Sequence, residues 1–553
     1  MIKYLFVFSL ILNISLFAQV TSSFDVIEFP EVFTNSPDSA SFYIINKTQY
    51  DVTVKLNNLK DVYTLSDTIT EVLSFDSVIV WLKYQPNQNV IDADIIFITS
   101  DDSSIGIAIN VIGNAKYGDS YDATTFNKYD NELKSALNSL VINHYSLGYN
   151  LARDKMFMEF DNQRVNGQGA AQNTLECVYT GRLAVGYTSR TVAQNAPYNF
   201  NTEHTWPQSN FGEAEPMKSD LYHLFPTDIT ANGIRSNYQF GKVVSNITWQ
   251  IGGSKLGNNS LGQISFEPRD VHKGDVSRSM FYFITRYPVN YGSFFTQTQE
   301  NVFREWNKFD TVGVVESNRN NAIALLQLKR NPYIDHPEFV DRIYSFATSN
   351  TCPTFADLDL LPFVLNFDST MVSDTTSQGL YIINSGSGVL SIDSITISDS
   401  HFYISNVIND IEPYTALKSE LHFVPDTINN FSANLTVYSD GGIKQILLTG
   451  IGKDDAVNVE DEITTPLVFA LEQNYPNPFN PSTKIKWQSS TNCWQTLKVY
   501  DVLGNEVATL INESKPAGIY EVEWNASSLS SGIYFYRLQM GYFIETKKMI
   551  VLK

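Results

Sequence analysis

The sequence predicts a multidomain protein, with an α+β domain in the middle, a β-sandwich module on either side of it and a further β-sandwich at the C-terminus. Three observations lead there. At 553 residues the chain exceeds what one core supports, because single cores stop growing at roughly 250–300 residues. Runs such as "SVIVWLKYQP", "ADIIFITS", "SELHFVPD" and "SANLTVYSD" are short, β-branched or aromatic, and bounded by Asn, Asp, Pro and Gly. Between them, "YDNELKSALNSLVINHYSL", "DVSRSMFYFITRY" and "ESNRNNAIALLQL" carry apolar residues at helical spacing. With 43% hydrophobic and 18% charged residues, the chain has enough apolar surface for folded cores throughout, which excludes a largely disordered protein.

The first residues place Lys3 ahead of an apolar run from Tyr4 to Phe17 and then Ala18, the pattern of a secretory signal peptide over 1–18. Asn13 and Ser15 interrupt a run already shorter than the ~20 apolar residues that span a bilayer, so no stable membrane insertion is expected. Residues 24–114 and 358–452 read as two copies of one module: Tyr43 to Asn46 ("YIIN") recurs at Tyr381 to Asn384, Ser100-Asp101 at Ser439-Asp440 and Gly113 at Gly452, at a nearly constant offset. Each resembles the immunoglobulin-like β-sandwich modules of the abnormal-spindle type. The central domain is 119–350, residues 453–466 are an acidic linker without hydrophobic periodicity, and 467–553 form the C-terminal sandwich.

Residues 121–350 hold 21 Lys and Arg against 22 Asp and Glu, a net of −1, whereas the whole chain carries −21. A neutral centre in an acidic chain suits a region that tolerates a polyanion, although no dense basic patch or high isoelectric point marks it. Cys177, Cys352 and Cys493 lack zinc-pair spacing; Cys177 and Cys352 either pair in an oxidising compartment or stay as isolated buried thiols.

The chemistry concentrates in "NTEHTWPQSNFGEAEPMKSDLYHLFPTDITANGIRSNYQFG", residues 201–241. Glu203 and His204 are adjacent, His223 follows, and Asn232, Arg235 and Asn237 close the segment. Neighbouring strand residues point to opposite faces, so the first two share one small ligand only with an irregular backbone. The set suits metal-assisted phosphodiester cleavage. A neutral histidine takes a proton from water, a carboxylate and an amide oxygen hold a hard cation, and an arginine clamps phosphate.

"EHTWPQSNFG", "KSDLYHLFPTD", "ANGIRSNYQFG", "FEPRDVHKGDVSRSMFYFITRY" and "LQLKRNPYIDHPEFVDRI" follow one another as in the bacterial endonuclease I family, and the chain is similar to that family over about 120–350. The resemblance implies a ββα-metal, or His-Me finger, nuclease with His204 as general base, Glu203 and Asn232 on one Mg²⁺ or another divalent ion such as Ca²⁺ or Mn²⁺, and Arg235 facing the phosphate or bracing the site. It implies only supporting or backbone-phosphate roles for Glu267, Arg269 and Arg278. His223 and His336 read as hydrogen-bonded scaffold residues, His223 next to the site, and Asn237 as a supporting or phosphate-binding residue. Ile234 stands where many members have Asp, and Tyr222 where a second histidine is common.

At the C-terminus "NYPNPFNPST", "LKVYDVLGNEVATLI" and "AGIYEVEWNASSLSSGIYFYRLQ" resemble the sorting domain of type IX secretion cargo. That resemblance implies export through the periplasm by the type IX machinery, to the cell surface or medium. The reading is therefore a secreted, monomeric, sequence-nonspecific endonuclease acting on DNA, with RNA not distinguished from it. The rival is a surface adhesion or binding protein whose nuclease-like domain is inactive.

Overall fold

The computed structural model describes residues 20–101, 104–288, 294–406, 409–454, 470–489, 493–502, 504–540 and 543–552. The expected signal peptide lies outside them, as does most of the linker. The chain divides into two compact units, Met1–Asp454 and Asp455–Lys553.

The first unit begins with two facing sheets. One orders Val20–Ser22, Asp38–Asn46, Ser77–Tyr84 and Tyr63–Leu65; the other orders Val26–Phe33, Gly106–Lys116, Ile91–Ser100, Val52–Leu56 and Ile69–Val72. Alternation explains the packing: Val80, Leu82 and Tyr84 point inward, while Ile79, Trp81 and Lys83 point out. Residues 358–453 repeat the arrangement strand for strand, with Leu358–Leu361, Thr376–Asn384, Thr415–Phe423 and Phe402–Ser405 facing Val364–Met371, Gly442–Lys453, Asn430–Ser439, Leu390–Ile397 and Asp410–Ile411. The one parallel pair in each copy slips register at the same place, between Phe29 and Val32 and between Asn366 and Ser369.

Asn46 and Asn384 show how deep the repetition goes. Each is buried, and each side-chain amide donates to two backbone carbonyls: Tyr50 and Val72 for the first, Gly388 and Ile411 for the second. Each side-chain oxygen accepts the N–H two residues on, from Thr48 or Gly386.

The two copies pack on one another. Leu380 and Ile382 enter the second copy's own core, whereas Leu361, Tyr381, Ile383 and Ala416 bury themselves in the core cluster of the first. Asn110 locks the contact: its side-chain amide donates to the Ala416 carbonyl (3.0 Å) and its oxygen accepts the Ala416 N–H (2.7 Å). At Gly106 a Cβ would sit 2.6 Å from Pro362 Cα, so only glycine admits this approach.

Residues 117–350 form their own core around Lys273–Arg286, a helix with buried residues on every side, among them Met280, Phe281, Tyr282, Phe283 and Ile284. Asp130–Val141, Gln297–Phe309 and Val314–Gln327 surround it, the second started by a Thr296–Gln299 capping box. Cys177 sits inside this core against Thr227 (3.3 Å), while Cys352 is exposed: of the two alternatives the thiols stay unpaired, and the exposure of Cys352 corrects the expectation that they are buried.

The second unit pairs a three-stranded sheet (Ala470–Leu471, Ser482–Ser489, Gly518–Asn525) with a four-stranded one (Glu506–Lys515, Cys493–Tyr500, Gly532–Met540, Phe543–Val551) over a core that includes Trp487, Leu497, Val499, Tyr536 and Leu538. Asp501 accepts the Asn505 N–H across a turn that needs Gly504 at φ +86°.

Candidate active site

The segment 200–235 folds as strand, return strand and helix. Phe200–His204 pairs antiparallel with Leu224–Asp228, so that Glu203 lies opposite Phe225 and His204 opposite Leu224. Asp228 then caps the helix Ile229–Arg235 by accepting the Ala231 N–H at 2.7 Å, and Thr180 donates to its other oxygen. Asn232 and Arg235 are three residues apart and share one side of that helix. Thr202 lies opposite Pro226 in a pair that exchanges no backbone hydrogen bonds, so its carbonyl points to the outer edge of the strand pair, where the Asn232 amide donates to it at 3.2 Å.

Arg235 is 1% exposed. Its Nη2 donates to the Thr205 carbonyl (2.6 Å) and its Nη1 to the Ser236 carbonyl (2.9 Å), and its Nε lies 3.2 Å from Glu203 Oε1. The guanidinium lies over Phe240. Of the two roles expected for it, this geometry is that of a brace, because the guanidinium is buried against Glu203 and both Nη atoms donate to carbonyls inside the protein. Glu203 Oε1 also accepts from the Tyr179 hydroxyl at 2.8 Å. Burial pushes the Glu203 carboxyl above its ordinary range, against the opposing pull of Arg235.

His204 is 4% exposed, and its two ring nitrogens are fixed. Nε2 is 3.1 Å from the Lys218 carbonyl, which can only accept, so the ring proton resides there. Nδ1 then carries the lone pair and accepts from the Gln208 amide at 3.1 Å. Burial, followed by the nearby His223 ring at 5.2 Å, holds its pKa well below the ordinary imidazole value. The ring also faces Tyr149 at 5.6 Å.

Glu203 and His204 thus leave a regular strand on opposite faces and share no hydrogen-bond partner. Glu203 and Arg235 come together and Asn232 is held on the carbonyl of Thr202, next to Glu203 in the chain, whereas His204 stands apart with Gln208, Lys218, Tyr149 and His223. His223 is buried with Nε2 on the Met217 carbonyl at 2.6 Å, a scaffold position. Asn237 is exposed and makes no side-chain hydrogen bond among the described residues. Tyr222, in place of a second histidine, buries its ring and donates to the Lys329 carbonyl at 2.7 Å; Ile234 packs on the core. His336 bridges Glu338 (2.9 Å) and Asp119 (2.8 Å).

A backbone-phosphate role for Arg278 does not survive. It is fully buried and spends its donors on Glu316, Asn307 and the Asp310 carbonyl. Glu267 accepts from Lys273 (2.7 Å) and from the Val243 N–H (2.8 Å), tying a strand to the central helix. Arg269 pairs with Glu176 and lines a cavity of about 270 Å³ that also includes Asp161, Phe225, His272 and Arg319. Tyr179, Gln208, Lys218 and Tyr149 are site neighbours that motif reading missed; only Gln208, four residues after His204, had a local signal.

The profile of the Endonuclease I family matches residues 129–338, and that of a secretion system C-terminal sorting domain matches 473–552. An extracellular ribonuclease of Bacillus amyloliquefaciens is 33% identical over 233 residues, covering 38% of this chain and 73% of its own. The extracellular ribonuclease of Bacillus subtilis (strain 168) is 31% identical over 245 residues, 41% of this chain and 78% of its own. Endonuclease-1 of Buchnera aphidicola subsp. Baizongia pistaciae (strain Bp) is 30% identical over 121 residues, 22% of this chain and 47% of its own. Nucleases of this family are generally dependent on a divalent metal ion, and their substrate is nucleic acid. The sorting domain, of the type IX kind, and the extracellular relatives place the protein outside the cell or at its surface, and no helix among the described residues is long and apolar enough to cross a membrane. The chain is a member of the Endonuclease I family of nucleases and carries a secretion system C-terminal sorting domain.

Proposed function

We propose that the protein is a secreted, monomeric, metal-dependent endonuclease that hydrolyses phosphodiester bonds of DNA and RNA without sequence preference, using His204 as general base. The observation that carries this reading is the state of His204: it is kept neutral by burial, and the Lys218 carbonyl leaves its lone pair on Nδ1. When the Gln208 amide gives way, Nδ1 takes the proton of the attacking water.

The donor set fits one hard divalent ion. Tyr179 and Arg235 engage Glu203 Oε1, while Oε2 makes no hydrogen bond among the described residues. The Asn232 amide nitrogen is spent on Thr202, which leaves Oδ1 as a ligand. No group of three or more His, Cys, Asp or Glu side chains suited to a metal occurs among the described residues, consistent with an ion such as Mg²⁺ that keeps most of its waters. Such an ion neutralises charge on the scissile phosphate and leaving oxygen. Arg235 keeps the Glu203 carboxylate ionised and oriented, and Tyr179 fixes the same oxygen from the other side.

We further infer that 24–114 and 358–452 are immunoglobulin-like modules flanking a nuclease domain of 119–350, with 453–466 linking to a sorting domain of 467–553. The burial of His204 favours a second reading, an adhesion protein with a silent nuclease fold. Plasmid nicking decides between them. The proposal requires cleavage that EDTA abolishes, Mg²⁺ restores and His204→Ala loses; wild-type protein that never nicks sinks it.

A further inference from the structure

Arg235 is sealed inside the protein, so the cation that meets the polynucleotide must lie elsewhere. The His204 side of the strand supplies candidates. Tyr149 opens the helix Tyr149–Lys155, and its ring faces the His204 ring at 5.6 Å. The Arg153 guanidinium lies 4.0 Å over that same tyrosine ring, and Lys218 Nζ lies 5.2 Å from it. Burial first, and then the neighbouring Arg190, disfavour the charge of Arg153, against the opposing pull of Asp154.

These cations are not equivalent. Arg190 pairs with Asp154 at 2.6 Å, Lys218 with Glu213 at 2.7 Å and Lys155 with Glu159 at 2.5 Å. Arg153 alone of the four forms no ion pair among the described residues. Its one hydrogen-bond acceptor is Asn150 Oδ1, at 2.8 Å from Nη2, and its Nε is buried without a partner. Arg153 is thus a partly buried guanidinium with unspent donors, and the carboxylate that acts on it, Asp154, is already paired with Arg190. The aromatic ring under it fixes its direction at little entropic cost.

Resting on the nuclease reading above, we propose that Arg153, positioned on Tyr149, binds a backbone phosphate of the polynucleotide flanking the scissile one, and so seats the strand against His204. Phosphate contacts of this kind set register and carry no base preference. The contribution is therefore to substrate binding, with the chemical step unchanged.

The test uses the full chain. Arg153→Ala should raise KM on a long DNA strand about three- to tenfold with kcat within about twofold, and flatten the log–log salt dependence of kcat/KM by about 0.7–0.9. Arg153→Lys, which keeps the charge, should restore the slope. Arg164→Ala, at an exposed cation without an ion pair among the described residues, should change neither. A dinucleotide substrate, which has no flanking phosphate, should be cut equally by wild type and Arg153→Ala. An unchanged salt slope in Arg153→Ala, an equal loss in Arg164→Ala, or an equal loss on the dinucleotide overturns the proposal. If wild-type protein does not cleave at all, the nuclease reading has failed, and fluorescence anisotropy of a labelled single strand on the His204→Ala chain still decides this one. Equal affinity with and without Arg153→Ala rejects it.

Discussion

Replacing Arg235 by alanine tests whether this residue braces the site. The substitution removes the Nε contact to Glu203 at 3.2 Å and the two hydrogen bonds to the Thr205 and Ser236 carbonyls. It also leaves a buried carboxylate with only the Tyr179 hydroxyl for company. Breaking a buried pair from one side costs about 3–5 kcal/mol. At 1.36 kcal/mol per decade this is a rise of between about a hundred and a few thousand-fold in the opening equilibrium of the strand–strand–helix unit. Hydrogen exchange read by mass spectrometry on peptides from 200–235 measures it, with peptides from 358–452 as an internal standard that should not change. The charge makes the deficit depend on pH. Burial already raises the Glu203 pKa, and losing Arg235 raises it further. A group with a raised folded pKa contributes stability that is fully present below its unfolded pKa of ~4.3 and is lost as pH rises through the folded value. The Arg235→Ala deficit should therefore be smaller at pH 5 than at pH 8, and Glu203→Gln in the same chain should recover part of it. A deficit equal at both pH values, with no recovery, would refute the ion-pair account and leave only lost packing and hydrogen bonds.

The other predictions concern chemistry and architecture. Because burial holds the pKa of His204 well below the ordinary imidazole value, the acid limb of kcat/KM should lie on the acid side of that value, and Gln208→Glu, which sets a carboxylate against Nδ1, should move it upward. His204 and His223 both have depressed folded pKa values, so the stability they contribute is present above pH ~6.5 and lost on acidification, visible as faster exchange around 200–235 at pH 5 than at pH 7. Asn232→Ala should shift the Mg²⁺ dependence of cleavage to higher concentration while leaving the fold intact in circular dichroism. Asn46→Ala and Asn384→Ala should each cost their own module about 1–3 kcal/mol in exchange measurements, since each strands one buried carbonyl and frees a second, partly buried one.

Much of this was legible in the sequence, and the reason is locality. Glu203, His204, Asn232 and Arg235 sit within one strand–turn–strand–helix segment, where spacing alone brings carboxylate, amide and guanidinium together. The module repeat was visible because "YIIN" carries the buried asparagine whose bonds recur in both copies. Contacts made by backbone carbonyls left no trace in residue type: nothing in "MKSD" says that the Lys218 carbonyl fixes a tautomer. Tyr179 and Tyr149 reach the site from distant segments. Arg278 misled because a buried structural arginine and a phosphate-binding one are the same residue type. The packing of one module on the other had a signal, since "GLYIIN" is a continuous apolar run, as a strand buried on both faces requires.

The pleat that separates Glu203 from His204 poses the deeper mechanistic problem, and the strand's edge answers it. A regular strand sends neighbours to opposite faces, so no small ligand inside either face touches both. The Thr202 carbonyl, turned to the outer edge of the pair, takes the Asn232 amide, and the helix that brings Asn232 also brings Arg235 to Glu203 and to the Thr205 carbonyl. His204 is the last residue of the strand, where the chain turns into Trp206 and Pro207. Under the proposed function, a phosphodiester laid across that end meets the oxygen donors from one face and the imidazole from the other, which a ligand bound within either face could not do. Adjacent acid and base are then a consequence of the edge: moving His204 one residue along the strand would place it on the Glu203 face, among Tyr179 and Arg235, where it has neither the Lys218 carbonyl to fix its tautomer nor the cations beside Tyr149 to seat a strand.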